Sequence, residues 1–204
     1  MDELMRPFEV GGLAVLLFAS TNVDDLFLLL ALFGDARLRT RQIVLGQSLG
    51  IGALIITSLM VAWGAIVLPR PWISWLGLLP LLLGLKGLLD LKRPVIPEDR
   101  GQLLAGTLAS RRVTLAIAGV TIANGADNVS AYAPVFAVLH GSELGLMIAI
   151  FVCLIGVWCY GAHWLARAAP ASMRREPAFR FVTPVVLVVL GLWILAGLIR
   201  NQPP

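Results

Sequence analysis

The sequence predicts an all-α integral membrane protein with six transmembrane helices, arranged as two inverted repeats of three helices each. The first observation behind this is composition. The 204 residues are 58% hydrophobic and 14% charged, whereas a soluble domain is about 25% charged. The second observation is six separate apolar segments, each long enough for the roughly 20 residues that a membrane helix needs. The third is a pair of related polar motifs inside two of these segments.

The apolar segments cover approximately residues 8–33, 43–68, 72–91, 113–139, 144–168 and 181–199. Helices are expected because backbone groups in lipid must be hydrogen-bonded within the protein, and the alternation typical of barrel strands does not occur. The first apolar segment contains carboxylates, where a signal peptide would be uniformly apolar. We therefore expect no cleavable signal peptide.

The basic residues predict the orientation in the membrane. Twelve of the 16 Lys and Arg residues lie in or beside the 1–2, 3–4 and 5–6 connections. The positive-inside rule places these connections in the cytoplasm and both termini outside it. The longest connection, 92–112, separates repeat 1 (about 8–91) from repeat 2 (about 113–199) within one membrane domain, 1–204. Because basic residues of membrane proteins collect on the cytoplasmic side, the net charge of +4 does not indicate nucleic acid, and the lipid bilayer is the expected partner.

Two polar motifs lie near the middle of the first and fourth segments. They contain Asn22, Asp24 and Asp25, and Asn124, Asp127 and Asn128. A carboxylate at the bilayer centre costs about 2.5–3.5 kcal/mol on insertion scales, so such residues usually mark an ion or substrate path. We therefore predict that these six residues form the site, as ligands of a cation.

The two motifs also indicate an internal repeat. Asn22 matches Asn124 and Asp25 matches Asp127 at an offset of 102, and Leu83–Leu85 matches Leu190–Leu192 at an offset of 107. Three spans is an odd number, so the second copy must enter the membrane from the opposite side. Many secondary transporters have this plan, with the site near the midplane at the interface of the repeats.

The residue types indicate the cargo. Carboxylate and amide oxygens are hard ligands, and two or three carboxylates match a divalent cation in charge. Asp24 lies about 100° round a helix from Asp25, so it joins the site only if the first span is distorted there. Gly125 and Pro134 favour an unwound or kinked fourth span, whose freed carbonyl oxygens would add ligands. Protons would compete for the carboxylates, which permits proton antiport as a hypothesis.

Other polar residues have weaker claims to a role in transport. Residues beside the motifs are candidates for supporting contacts: Ser20, Thr21, Ser130 and Tyr132. Cys153 and Cys159 are six residues apart and do not share a helix face. His163 is interpreted as structural. Lys86 is interpreted as paired with Asp90 or reaching toward the interface, with a gate contact as the alternative.

At these residues the sequence resembles the cadmium-resistance transporter (CadD-like) family of the LysE exporter superfamily. The resemblance lies in Ser20–Asp25, Ala123–Asn128, Leu76–Pro80 and Leu83–Lys86, and it extends over most of the chain. It implies efflux of divalent metal, cadmium with zinc as a second candidate, from a bacterial cytoplasm through the inner membrane. Cadmium prefers sulfur ligands, yet the motifs supply oxygen.

Several alternatives remain open at this point. Superfamily relatives export manganese or amino acids, so manganese or an organic cation is an alternative cargo. An intramembrane enzyme with an Asp25–Asp127 acid–base dyad is disfavoured, because the sequence contains no nucleophile motif or nucleotide-binding loop. We therefore expect no enzyme and no cofactor, the metal (Cd²⁺ or Zn²⁺) being the cargo. A homodimer is left open.

Overall fold

The computed structural model describes residues 2–66, 77–90, 112–139, 141–168 and 182–200, and these ranges contain eight α-helices and no strand. The first four helices are α1 (Asp2–Thr21), α2 (Val23–Phe33), α3 (Thr40–Ile66) and α4 (Leu78–Asp90). The last four are α5 (Val113–Asn124), α6 (Ala126–Val138), α7 (Gly141–Ala168) and α8 (Val182–Arg200). The all-helical prediction is confirmed for these ranges.

The helices correspond to the apolar segments with two differences. The first segment is divided into α1 and α2, and the fourth into α5 and α6. By length and apolarity, α3 and α7 can each cross a bilayer alone, and the pair α1–α2 adds a third span if it counts as one. The start of the predicted third segment, 72–76, and most of the 92–112 connection lie outside the described residues.

The break in the first segment is sharp, because α1 and α2 meet at an angle of 58°. Asn22 lies at the junction, and its side-chain nitrogen donates to the carbonyl oxygen of Phe18 at 2.8 Å. Asparagine side chains offer the backbone such local bonds in competition with the regular helix. In the fourth segment the junction is Gly125, which is packed so closely that an added Cβ would lie 2.2 Å from a Leu54 methyl.

The helices of the two halves pack in a reciprocal pattern. The second-segment helix α3 packs on α5 and α6, and the fifth-segment helix α7 packs correspondingly on α1 and α2. In addition, α4 contacts α6, and α8 contacts both α1 and α6. The helices α4 and α8 pack on each other, as do α1 and α6. The two broken helices therefore lie between the other elements of the bundle.

A buried aromatic cluster lies beside the Asn22 break. Phe18 contacts Phe151 edge-on, with ring centroids 5.5 Å apart, and Trp158 at 5.8 Å. Tyr132 packs against Phe151 with centroids 4.8 Å apart and against Phe136 at 5.9 Å. Each such pair contributes about 0.5–1.5 kcal/mol of stability beyond the effect of burying its surface. The cluster therefore stabilises the packing next to the polar groups at the break.

Glycines form most of the contact between α4 and α8, and we call it the glycine seam: Gly84 on α4 and Gly77, which directly precedes α4, lie against Gly191 and Pro184 on α8. A Cβ at Gly84 would lie 2.7 Å from the Pro184 carbonyl oxygen, and a Cβ at Gly191 would lie 2.7 Å from that of Gly77. Small residues let membrane helices approach this closely. The two contacts correspond to each other at an offset of 107, which is also the offset of the Leu-Gly-Leu match. Gly84 corresponds to Gly191, and Gly77 corresponds to Pro184.

Candidate functional site

The two helix breaks have nearly the same backbone geometry. Asn22 has φ −109° and ψ 14°, and Gly125 has φ −86° and ψ 24°. The carbonyl oxygen of each residue accepts a hydrogen bond from the backbone amide four residues later. The donor is Leu26 for Asn22 and Val129 for Gly125. The breaks therefore correspond at an offset of 103, one residue from the 102 of the sequence match.

This register changes which acids are equivalent. Asp24 and Asp127 are each the second residue of the helix after a break, and Asp25 and Asn128 are each the third. Burial follows the same pairing. Asp24 and Asp127 are half-buried, whereas Asp25 is 4% exposed and Asn128 3%. The structural counterpart of Asp127 is thus Asp24 rather than Asp25.

The three carboxylates lie within electrostatic range of one another. The charges of Asp24 and Asp25 both act on Asp127, and that of Asp24 acts more strongly. All three lie in the first turn of a helix, where the positive end of the helix dipole stabilises a negative charge. The two breaks therefore bring acids from both halves of the chain to one region.

The amide of Asn22 belongs to a fully buried hydrogen-bond network. Its nitrogen donates to the Tyr132 hydroxyl at 2.9 Å and to the Thr21 hydroxyl at 3.2 Å. The hydroxyls of Thr21 and Tyr132 are 2.9 Å apart and bonded to each other. Tyr132 on α6 thus joins the first break to the helix that follows the second break.

Asn128 completes this network. The orientation that satisfies both ends of its amide has the nitrogen donating to Asp127 Oδ1 at 3.1 Å and to the Thr21 carbonyl oxygen at 3.2 Å. Its oxygen then accepts from the Tyr132 hydroxyl at 3.2 Å. In the other orientation the Asn128 nitrogen donates to the Asn22 side-chain oxygen at 3.3 Å, so the two amides are neighbours in the network.

The carbonyl oxygens around the first break accept hydrogen bonds from other helices. Trp158 Nε1 on α7 donates to the Asn22 carbonyl at 2.8 Å, and the Thr183 hydroxyl on α8 donates to that of Ser20. With Asn128 on the Thr21 carbonyl, three consecutive carbonyls are each bonded from a different helix. These hydrogen bonds fix the first break in place, whereas the freed carbonyl oxygens predicted as ligands were those of the fourth span.

A second chain of polar side chains reaches Asp25 from α3 and α5. Gln47 Nε2 on α3 donates to Asp25 Oδ2 at 2.7 Å, and the Thr121 hydroxyl on α5 donates to Gln47 Oε1 at 2.8 Å. Gln47 and Thr121 are not among the residues predicted from the sequence. The available signal was an amide inside the second apolar segment, since buried polar groups in membrane helices seek partners.

The remaining candidates occupy separate places. Asn124 is the half-buried last residue of α5, Cys153 is exposed, and Cys159 is buried within electrostatic range of Asp25. His163 packs against Phe33 with ring centroids 5.0 Å apart, and Lys86 is exposed. Within the described ranges, no three His, Cys, Asp or Glu side chains lie close enough together to hold one metal ion. A complete coordination shell therefore needs amide oxygens, water or a rearrangement.

The network makes Tyr132→Phe informative. The change removes the hydroxyl shared by Thr21, Asn22 and Asn128 and leaves the buried Asn22 amide with one partner fewer, which costs about 1–3 kcal/mol. We expect a lower melting temperature in detergent and weaker metal transport, measured on the same preparation. Tyr160→Phe is the matched control because Tyr160 is exposed. Equal stability and transport of both variants would show that the network is unimportant.

Comparison with known proteins agrees with the resemblance at the motifs. The family model described as "cadmium resistance transporter" matches residues 18–199, nearly the whole chain. Neither the curated proteins nor the solved structures contain a match. The matched region includes both helix breaks, all three acids and the glycine seam. This multi-pass membrane chain belongs to the cadmium resistance transporter family.

Proposed function

We propose that this protein is a secondary transporter that exports divalent metal from the bacterial cytoplasm across the inner membrane, with cadmium as cargo and zinc as second candidate. It works through Asn22, Asp24, Asp25, Asn124, Asp127 and Asn128, in exchange for protons. The observation that carries the proposal is the pair of matching helix breaks, each followed within one turn by acids that act on each other.

The charge balance at the breaks supports a divalent cation. Three carboxylates within electrostatic range of each other in an apolar bundle repel one another, and a cation or protons must relieve that repulsion. A divalent ion neutralises two of them, and protons entering as the ion leaves would restore the balance. The buried amide oxygens of Asn22 and Asn128 are suitable additional donors.

We also propose six spans in two inverted repeats, with both termini extracytoplasmic; the packing supports the repeat, and the basic connections support the placement of the termini. An inverted repeat relates the first span to the fourth, the second to the fifth and the third to the sixth. The contacts of α3 with α5 and α6 then correspond to those of α7 with α1 and α2. The glycine seam, formed by α4 and α8, corresponds to itself under this exchange.

Manganese is the alternative cargo, because the donors at the breaks are oxygens. Carboxylates and carbonyl oxygens suit Mn²⁺, whereas Cd²⁺ prefers sulfur. Competition between the two ions for one transport site would decide the order of preference.

The test is ion flux into proteoliposomes containing purified protein. We expect saturable Cd²⁺ transport that accelerates when the opposite compartment is acidic, together with proton movement in the opposite direction. Zn²⁺ and Mn²⁺ are offered as competitors in the same assay. Liposomes with protein that carry none of the three ions above the protein-free rate would contradict the proposal, and flux insensitive to a pH gradient would contradict proton exchange.

A further inference from the structure

We infer that Gln47 and Thr121 are positioning residues for transport, which fix the carboxylate of Asp25 relative to the second helix break. We call them the positioning pair. The inference rests on the proposed function and deepens it, because it adds two residues that act on the metal site through Asp25. The observation is the hydrogen-bonded chain from Thr121 through Gln47 to Asp25, which joins α5, α3 and α2.

The hydrogen-bond partners on either side of Gln47 determine which end of its amide faces Asp25. An ionised carboxylate only accepts hydrogen bonds, so the amide nitrogen must face Asp25, and it does so at 2.7 Å. The amide oxygen is then directed at Thr121, whose hydroxyl donates to it at 2.8 Å. Gln47 and Thr121 are both 0% exposed. The amide is therefore bonded at both ends inside the protein.

The surroundings make this chain rigid. Gly50 on α3 packs so closely on α5 that an added Cβ would lie 2.5 Å from Thr121 Cβ. Gly46, one turn earlier, would place its Cβ 2.7 Å from that of Ile117. The two helices that carry the pair thus have little freedom to slide, and the orientation of Asp25 is tied to α5.

The position of Thr121 links this hydrogen-bonded chain to the second helix break. It lies three residues before Asn124, the last residue before the second break, and therefore on nearly the same face of α5. The pair thus connects an acid after the first break to the helix that leads into the second. Groups that orient a metal-binding side chain typically change metal affinity about 10–100-fold when removed.

The experiment compares isosteric changes in the Cd²⁺ flux assay, with rates normalised to folded protein recovered by gel filtration. Thr121→Val keeps the shape and removes the hydroxyl, and we expect it to raise KM for Cd²⁺ about tenfold with Vmax within about twofold. Thr121→Ser restores the hydroxyl and should recover most of the affinity. Thr57→Val is the matched control, since Thr57 on α3 bonds only to the backbone of its own helix among the described residues.

A double variant separates positioning from general packing. If Thr121 acts through Gln47, then Thr121→Val adds no further change in KM once Gln47→Met has removed the amide, because the two effects share one route. Cd²⁺ binding to the purified protein in detergent should weaken by the same factor as KM rises. This readout follows affinity and is insensitive to the rate of the transport cycle.

The possible results distinguish failure of the positioning pair from failure of the proposed function. Wild-type flux with an unchanged KM in Thr121→Val, or independent effects of Thr121→Val and Gln47→Met, overturns the positioning pair and leaves the proposed function standing. Failure of Thr121→Ser to recover affinity also overturns it. Wild-type protein that neither binds nor carries Cd²⁺ overturns the proposed function and, with it, this inference.

Discussion

We expect Asp24→Asn and Asp127→Asn each to lower the rate of Cd²⁺ transport at limiting metal by more than about 100-fold. Removing a group that only orients a metal ligand costs at most about 100-fold, and a ligand itself should cost more. Each change keeps the size of the side chain and removes its charge. The two acids have the same place after their respective helix breaks, are half-buried, and act on each other electrostatically. Their equivalence predicts losses of similar size.

The matched control is Asp35→Asn, the same chemical change outside the predicted spans. Asp35 lies in the connection between α2 and α3, where the Arg37 guanidinium donates to it at 2.7 Å and holds its pKa at about 2. We expect this variant to transport like the wild type in the proteoliposome assay. Full transport by Asp24→Asn or Asp127→Asn would remove the central argument for the site.

Asp25→Asn tests the register of the repeat. Asparagine at this position still accepts a hydrogen bond from Gln47, so the fold should be retained while the charge is lost. The structural offset of 103 predicts that Asp24 and Asp127 are the matching pair, whereas the sequence offset of 102 predicts Asp25 and Asp127. If Asp24→Asn transports normally and Asp25→Asn behaves like Asp127→Asn, the sequence offset is the correct one.

Much of the fold is predictable from sequence because a bilayer permits few structures. Long apolar segments must become helices, and carboxylates within such segments are unfavourable enough to mark a site. The distortion expected near Gly125 is present, and the first segment breaks at Asn22, which satisfies the condition for Asp24 to take part.

The details of the site depend on contacts that the sequence does not specify. A shift of one residue rotates a side chain by about 100°, so the sequence offset of 102 and the offset of 103 between the helix breaks give Asp127 different partners. The role of Gln47 depends on α3 lying against α5, a contact between the two halves. The hydrogen bonds that Trp158 and Thr183 donate to carbonyls at the first break likewise depend on α7 and α8 lying beside it.

The glycine seam predicts the largest effect on stability. We expect Gly84→Ala and Gly191→Ala each to lower the free energy of unfolding, because the added Cβ would meet backbone. At Gly84 it lies 2.7 Å from the Val188 amide nitrogen, and at Gly191 it lies 2.6 Å from the Leu81 amide nitrogen. Backbone atoms have no rotamer to adopt, so the helices must separate.

Two opposing contributions decide whether each substitution raises or lowers the free energy of unfolding. Alanine is favoured over glycine in a helix by about 1 kcal/mol, and overpacking costs about 1–3 kcal/mol or more. Separation of α4 and α8 also removes van der Waals contact along both helices, and such contact is a main source of association in a membrane. The steric cost therefore exceeds the gain in propensity, and less folded protein should survive detergent extraction.

Gly156→Ala provides the control, because nothing lies within 4 Å of a Cβ at Gly156 and only the gain in helix propensity remains. Melting in detergent should rank Gly156→Ala at or above the wild type and both seam variants below it. The seam contacts map onto each other at an offset of 107, so the two seam variants should lose similar stability. A stable Gly84→Ala beside an unstable Gly191→Ala would mean that the seam is not a symmetric contact, and the argument for two copies of one three-helix unit would lose its support from packing.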